Sequence, residues 1–383
     1  MVRFNYIGLL SLLTIGMIST TANASSSLGE DYTKFKNLLN EKYGFNYNLS
    51  YSVLGQHASP GGKYNAVQSY FSPSFTWTNF DNEYGTGALN FSYNSVFYGR
   101  HNAEDIQNRT GMVTPINDFD DNAQEFANLY YTYQFPRKLN WLTLGVGQYG
   151  ISMFDGTAYD NNQQVNFVNF ALSQNATSTY STAGLGFFVQ ANPGNWSFVA
   201  GAQDATNISG PSIRFNHLNE EHYATFGSIG YNPNIPKLGK GQYSVLVYNQ
   251  PYVNEQKQST TGWSINLSQN IGEKLNLFGR INGVNGSVSS ISQSYVAGLA
   301  YNDPLDRNEL DQIGFAYSYN KIDKGAVGQE LHHDAEQVLE AYWAWGISKW
   351  ATITPDFQFY INPALNKGSD YGTVSSVRLT LFF

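Results

Sequence analysis

Apolar and polar side chains alternate with a period of two from residue 45 to the end of this chain, in segments of about ten residues. Between 45 and 53, Phe, Tyr, Leu, Tyr and Val alternate with Asn and Ser. Such alternation predicts β-strands with one apolar and one polar face. The polar faces carry Ser, Thr, Asn, Gln and Gly, and only 13% of all residues are charged, against about 25% in average proteins. Since a soluble sheet would expose Lys and Glu, the pattern indicates strands with lipid on one side and a wet, neutral interior on the other.

The predicted fold is all-β, a closed antiparallel transmembrane β-barrel over residues 45–383. Hydrocarbon offers no water to the backbone, so a sheet that spans a membrane must close on itself. Aromatic residues make up 16% of the chain and mark many strand ends, as the aromatic girdles of such barrels do. No repeat or shift in composition indicates a second domain within this range.

The number of strands is predicted from the same alternation. About seventeen segments qualify, whereas bacterial single-chain barrels have even numbers of strands, so one must be removed. We expect sixteen strands and regard 163–172, in a region rich in Asn and Gln, as the first to discard. The candidates are 45–54, 67–80, 87–98, 125–134, 140–150, 163–172, 180–190, 195–203, 221–231, 240–250, 259–268, 274–283, 293–302, 310–320, 337–348, 350–361 and 373–383.

Residues 1–24 are predicted to be a cleaved signal peptide. Arg3 precedes an apolar run from Ile7 to Ile18, and Ala22-Asn23-Ala24 is a small-x-small cleavage site. The alternative is a membrane anchor, but the run is shorter than the roughly 20 residues that a spanning helix needs. We therefore expect export from the cytoplasm and cleavage after Ala24.

Residues 25–44 are predicted to be an N-terminal periplasmic segment with a short helix, a mere linker being the alternative. Apolar residues recur at helical spacing over 31–43, and Gly44 follows as a stop signal. These apolar residues are Tyr32, Phe35, Leu38, Leu39 and Tyr43.

The last strand, 373–383, carries a specific signal. Its apolar face ends in Phe at the carboxyl terminus, and Arg378 lies on the other face. This arrangement resembles the signal that the bacterial outer-membrane barrel assembly machinery reads, although an ordinary last strand of a soluble sheet could look similar. Together with a signal peptide, it predicts a protein of the Gram-negative outer membrane. We expect the partners to be membrane lipid and, during biogenesis, that machinery.

Composition excludes several function classes. The chain has no Cys, which excludes disulfides, thiol enzymes and Cys-ligated zinc, and its formal net charge of -8 argues against nucleic-acid binding. His332-His333-Asp334 and the group of Asp118, Asp120 and Asp121 are metal candidates in composition only, and we expect solvated loops there. A barrel phospholipase needs a lipid-facing Ser and His, which no strand shows. We therefore predict no cofactor, no metal and no enzymatic activity.

Residues 274–363 resemble the carbohydrate-selective porin family of the OprB type. The resemblance rests on the order of LNLFGR at 275–280, DPLDR at 303–307, EQVLEAY at 336–342 and ITPDFQFYINP at 353–363. Looser matches upstream include LGVGQY at 144–149 and FVAGAQD at 198–204. The resemblance implies a 16-stranded outer-membrane pore that admits sugars by diffusion, as a monomer or a homotrimer.

Period-two phasing assigns side chains to the lumen. With Leu339 and Leu277 on the lipid face, neighbouring charged and aromatic residues point inward, and a charge on the lipid face would cost about 2–4 kcal/mol at the bilayer midplane. Aromatic faces can contact a pyranose ring, while charged and amide groups exchange hydrogen bonds with its hydroxyls. The predicted pore-lining residues are Arg280, Glu340, Asp356, Phe278, Tyr248, Tyr342, Tyr360, Gln358 and Glu336. The alternative for Arg280, Glu340 and Asp356 is an ion-pair network that braces the wall.

The sequence therefore predicts a passive porin for carbohydrates and similar small polar solutes. A plugless outer-membrane receptor for another ligand, such as a siderophore, is the main alternative. An energised receptor needs a plug and about 22 strands, for which the chain is too short. A soluble all-β lectin disagrees with the signal peptide, the final Phe and the neutral polar faces.

Overall fold

The structure, a computed structural model, describes residues 22–60, 65–215, 218 and 221–383. Within these residues the chain forms one closed antiparallel β-barrel of sixteen strands, which confirms the predicted fold class. A further strand, β9, has two residues and extends the turn between β8 and β10. The strands are β1 (Phe45–Ser59), β2 (Asn65–Asn82), β3 (Gly85–Tyr98), β4 (Ala123–Gln134), β5 (Leu142–Tyr149), β6 (Gly184–Ala191), β7 (Trp196–Asp204), β8 (Tyr223–Tyr231), β9 (Asn234–Ile235), β10 (Gly239–Gln250), β11 (Thr260–Ile271), β12 (Leu275–Val284), β13 (Ile291–Asn302), β14 (Gln312–Ile322), β15 (Ala335–Ser348), β16 (Ala351–Ile361) and β17 (Tyr371–Phe382).

The barrel closes between its first and last strands. β1 pairs with β2 on one side and with β17 on the other. At the end of this seam, Phe383 N donates to Leu49 O at 2.8 Å, and Leu49 N donates to Phe383 O at 2.9 Å. Because every long strand has two neighbours, the sheet has no free edge that would face lipid with unpaired amides.

Burial alternates along the strands as the sequence predicts. On β10, Val245 and Val247 are exposed on the outer surface, whereas Leu246 and Tyr248 between them are buried inside. β8 shows the same alternation along its whole length. The apolar outer face therefore contacts lipid, and the inner face lines the lumen.

The segment 163–172 is not a strand, which confirms its removal from the candidates. It forms part of an irregular connection that ends in a one-turn helix, α3 (Phe170–Ser173). The Asn169 side chain caps this helix by accepting from Ala171 N at 3.1 Å. Asn- and Gln-rich sequence favours such local side-chain bonds over a ladder.

The helices differ from the prediction in extent and number. α1 (Ala22–Tyr43) begins before the predicted 31–43, while residues 1–21, most of the predicted signal peptide, lie outside the described residues. α2 (Ala103–Thr110) lies between the predicted strands 87–98 and 125–134, and Asn102 and Asp105 form a capping box at its start. The remaining helical turns are α4 (Lys324–Val327) and two 3₁₀ turns, Arg137–Leu139 and Ile151–Phe154. No helix among the described residues is long and apolar enough to cross a membrane.

The two ends of the barrel differ in their connections. At the end that carries α1 the strands are joined mostly by short turns, and at the opposite end mostly by longer segments. Residues 99–122, here the first inward loop, and residues 150–183, the second inward loop, connect β3 to β4 and β5 to β6. Both loops fold into the lumen and contact strands on the far side, so they determine what space remains open.

Candidate solute pathway

The nine residues predicted to line the pore all lie on the inner face, but the two inward loops cover them. Each is at most 5% exposed. They occupy β10 (Tyr248), β12 (Phe278 and Arg280), β15 (Glu336, Glu340 and Tyr342) and β16 (Asp356, Gln358 and Tyr360). Their contact with solute stays a prediction, and the contacts that the structure does give them are mostly with the loops.

Glu340 holds the second inward loop through its backbone. The carboxylate accepts hydrogen bonds from Val168 N at 2.6 Å and from Asn169 N at 2.9 Å. A carboxylate that accepts from backbone amides makes stronger hydrogen bonds than a neutral acceptor. Glu340 therefore fixes the middle of this loop against β15.

Two arginines hold the same loop from other directions. Arg378 of β17 donates to the carbonyl oxygens of Gln163, Val165 and Asn166, the last at 2.9 Å. Arg280 of β12 forms a buried ion pair with Asp160, with Nη2 and Oδ2 2.7 Å apart. The partner of Arg280 is thus a loop residue. Asp356 lies elsewhere, opposite Tyr342 and Ser376 in the strand registers.

Glu336 holds the first inward loop through its backbone, as Glu340 holds the second. Its carboxylate accepts from Val113 N at 2.7 Å, from Thr114 N at 2.6 Å and from Ala364 N at 2.6 Å. The two glutamates are four residues apart on one strand and so face the same way. β15 therefore anchors both loops.

Tyr360 and Gln358 join the two loops to each other and to β16. The Tyr360 hydroxyl donates to Thr114 O at 3.1 Å and accepts from Asn169 Nδ2 at 2.6 Å. Gln358 Nε2 donates to Ile116 O at 3.0 Å, and its Oε1 accepts from Asn169 Nδ2 at 3.1 Å. These side chains satisfy polar groups of both loops in a place that is closed to water.

Three of the four predicted aromatic residues, Phe278, Tyr342 and Tyr248, pack against glycines. Each lies directly opposite a glycine of the next strand, and a Cβ on that glycine would overlap the ring. The pairs are Phe278 with Gly298, Tyr342 with Gly314 and Tyr248 with Gly262. Phe167 of the second inward loop then packs on Phe278 and Tyr342, with ring centroids 5.5 and 4.9 Å apart. The rings thus lie flat on the wall and support the loop.

A polar strip remains uncovered on the inner faces of β1 to β4. It borders a cavity of about 340 Å³ at the short-turn end. Its inward side chains are amides and hydroxyls, from Asn46, Asn48, Ser74, Thr76, Asn90, Ser92 and Asn128. Such groups exchange hydrogen bonds with water and with polar solutes without a fixed charge.

The polar strip meets the first inward loop at a group of five residues, where we expect the path to be narrowest. Tyr70 and Phe119 form an edge-to-face pair with centroids 5.1 Å apart. The Tyr70 hydroxyl donates to Asn94 Oδ1 at 2.9 Å, and Asn94 Nδ2 donates to Glu125 Oε2 at 2.9 Å. Asp118 of the loop is close enough for its carboxylate to repel that of Glu125. We call these five residues the narrow point.

Burial raises the pKa of Asp118, which lies on a loop and not on a barrel strand, to about 7. Hydrogen bonds from Ser173 and Gln174 to the carboxylate oppose this increase, and repulsion by Glu125 adds to it. The carboxyl therefore changes its charge near neutral pH.

The opposite side of the lumen is filled by apolar side chains. Phe188, Phe226 and Leu246 point inward from β6, β8 and β10, and Phe154 of the second inward loop stacks on Phe226 at 5.2 Å. A second polar cavity of about 270 Å³ lies beside this cluster. Of these two polar cavities, the one beside the polar strip is the larger.

Sequence reasoning missed the narrow point, apart from Asp118, which was considered only as a metal ligand. Glu125 had a detectable signal, because it is the only charged residue in the predicted strand 125–134. No signal in the sequence marks Tyr70, Asn94 or Phe119, since their role depends on where a loop folds. Among the described residues, no three His, Asp or Glu side chains meet as metal ligands would.

The chain is similar to known porins over most of its length. Residues 28–383 match the model of the family described as carbohydrate-selective porin, OprB family. Porin AaxA of Chlamydia pneumoniae is 38% identical over 344 residues, which cover 87% of this chain and 78% of that protein. Porin AaxA of Chlamydia abortus is 39% identical over 313 residues, covering 81% and 69%.

Solved structures show the same fold. The high-pH structure of Pseudomonas putida OprB superposes with a TM-score of 0.74 at 14% identity, covering 92% of this chain and 97% of that one. Salmonella typhi OmpF, solved with daunomycin, superposes with a TM-score of 0.59 at 12% identity, covering 88% and 97%.

Proposed function

Because the chain belongs to the OprB family of carbohydrate-selective porins, we propose that it lets saccharides and similar small polar solutes diffuse passively across the outer membrane. Porins are channel proteins and not enzymes. The observation that supports this proposal most is the polar strip, which offers amides and hydroxyls along one wall beside the inward loops. Short turns face the periplasm in such barrels, so solutes enter at the long-loop end.

The narrow point supplies the chemistry that a sugar path needs. Phe119, which is half-buried, offers aromatic surface to the C–H faces of a pyranose ring, while the amides and hydroxyls of the adjoining polar strip offer hydrogen bonds to its hydroxyls. Binding must stay weak, because a solute that binds tightly does not leave. The polar strip, whose inward side chains are uncharged amides and hydroxyls, meets this requirement.

The nine predicted residues would act on passage in part by setting the width of the opening. Arg280 is an example, since its ion pair with Asp160 holds one end of the second inward loop. We expect Arg280→Ala to change sugar flux or ion selectivity in reconstituted vesicles. Unchanged conductance and unchanged flux would remove Arg280 from the functional residues.

Planar-bilayer conductance with added sugar tests the function directly. We expect stable open channels whose current is partly blocked by glucose or a maltosaccharide in a concentration-dependent way, because the solute occupies the narrow point. Phe119→Ala should weaken the block, whereas Phe315→Ala, on the lipid face, should leave it unchanged. Tight ligand binding with little current would instead indicate a receptor, for example for a siderophore.

Ion selectivity should depend on pH through Asp118. With a pKa of about 7, the carboxyl goes from about one tenth ionised at pH 6 to about nine tenths at pH 8. The preference for potassium over chloride should therefore rise with pH over this range, as reversal potentials in a salt gradient can measure.

Asp118→Asn should abolish the part of this pH dependence that lies above pH 7, since Asp120, whose pKa burial raises to about 6, titrates mainly below pH 7. Asp121→Asn is the matched control, because hydrogen bonds from Asn102 and Asn122 hold the pKa of Asp121 below its usual value and it stays charged. A pH dependence above pH 7 that survives in Asp118→Asn would assign it to another group.

The cellular route stays a prediction. We propose export through residues 1–24 with cleavage after Ala24, and insertion by the barrel assembly machinery, which would read the strand that ends in Phe383. N-terminal sequencing of the mature protein tests the cleavage site. Chemical cross-linking in membranes distinguishes a monomer from a homotrimer.

A further inference from the structure

Helix α1 follows the rim of the barrel at the short-turn end. Gly29, near its start, lies against Trp350 in the turn between β15 and β16, where a Cβ would be 3.3 Å from Nε1. At its end, Tyr43 O accepts from Trp77 Nε1 of β2 at 3.2 Å. The helix from 29 to 43 is about 21 Å long at 1.5 Å per residue. Its two ends therefore reach turns and strands on either side of the β1–β17 seam, so the axis runs along the circumference.

The helix packs on the outside of the wall. Tyr32 contacts Trp350 edge-on at 5.5 Å, and the hydroxyls of Tyr32 and Tyr47 are 3.0 Å apart. Lys36 Nζ lies 4.8 Å from the centre of the Tyr47 ring. Tyr47 is on the outer face of β1, because its neighbours Asn46 and Asn48 point into the lumen. The helix therefore lies at the level of the aromatic residues that mark one boundary of the lipid belt.

One side of α1 presents apolar residues with no protein to cover them. Phe35 is 51% exposed and Leu38 is 53% exposed. Asn37 and Asn40 are exposed on the other side of the helix. A helix with an apolar side and a polar side that lies in the plane of a membrane is the pattern of an interfacial helix.

We propose that α1 lies in the periplasmic surface of the outer membrane, with Phe35 and Leu38 inserted into the phospholipid leaflet. The occupant of this apolar side is lipid because the side is continuous with the lipid-facing residues Tyr47, Trp77 and Trp350 that the helix contacts. The helix thus widens the membrane-bound surface beyond the barrel. This proposal concerns anchoring and does not depend on which solute passes.

Fluorescent labels on single cysteines test this placement, and the chain has no Cys of its own. Phe35→Cys and Leu38→Cys are labelled with an environment-sensitive dye, and the full barrel is reconstituted in phosphatidylcholine vesicles. Asn37→Cys and Asn40→Cys are the matched controls on the polar side. Spin-labelled lipids with shallow nitroxides should quench positions 35 and 38 by about twofold more than 37 and 40.

Equal quenching at all four positions would overturn the proposal, since the helix would then be in water. Labels at 35 and 38 that are shielded but not quenched by lipid, together with disulfide-linked dimers of Phe35→Cys, would also overturn it in favour of a second copy. Gel mobility before and after heating confirms in each case that the barrel is folded.

Discussion

Replacing Glu340 with Ala is expected to raise the ion current through the barrel and make it fluctuate, because the change releases the second inward loop. The Glu340 carboxyl accepts from the amides of Val168 and Asn169, and leaving a buried amide without its acceptor costs about 1–3 kcal/mol. Without these hydrogen bonds, the middle of the loop would leave its position for part of the time. We expect roughly a twofold increase in single-channel conductance, with added flicker, since the loop determines the open cross-section.

The control for this change is Glu330→Ala. Glu330 lies in the connection before β15 and makes only an exposed contact with Lys367 at 3.9 Å, which contributes little. Glu340→Gln, which keeps the volume but only one of the two acceptor oxygens, should give an intermediate current. If Glu340→Ala folds normally and conducts like the parent, the other contacts of the loop, with Arg378, Arg280, Tyr360 and Gln358, are sufficient to hold it.

Gly298→Val is expected to destabilise the barrel and loosen the same loop. A side chain at this position would overlap the Phe278 ring and come within 2.8 Å of the Ala316 Cβ. The ring would have to leave the wall, and with it the contact between Phe278 and Phe167. Overpacking of this kind costs about 1–3 kcal/mol, which should lower the temperature at which the folded form is lost on a gel.

Gly227→Val provides the comparison. Gly227 faces lipid on β8, and the nearest heavy atom to a new Cβ is Val199 O at 3.9 Å. The substitution adds the same atoms without meeting a neighbouring side chain. Equal midpoints for the two variants would show that the aromatic ring does not depend on its glycine.

The strands and their inward faces were predictable because they leave a periodic trace in the sequence. On β10, the alternation of Tyr243, Val245 and Val247 with polar or inward residues sets the face of every position. Lipid on one side and water on the other impose this period on the whole barrel. The observed strand ends differ from the predicted ends by a few residues, as at β1, where the strand continues to Ser59 beyond the predicted residue 54.

The positions of the inward loops, in contrast, are not marked by any periodic pattern in the sequence. Glu336 and Glu340 were correctly placed on the inner face, but their partners are backbone amides that any sequence would offer. Which loop enters the lumen depends on contacts between residues more than 100 positions apart, as between Arg280 and Asp160. The open side of the lumen, and with it the narrow point, follows from that placement and could not be predicted.

The two inward loops come from the first half of the chain, whereas most of the side chains that hold them belong to β12 and β15 to β17. The narrowing of the lumen thus depends on distant parts of the sequence, and it requires a closed barrel. A chain that ends before β15 would keep its two inward loops but lack most of the side chains that hold them. The width of the opening therefore depends on the complete barrel, and its size reports that the barrel has closed.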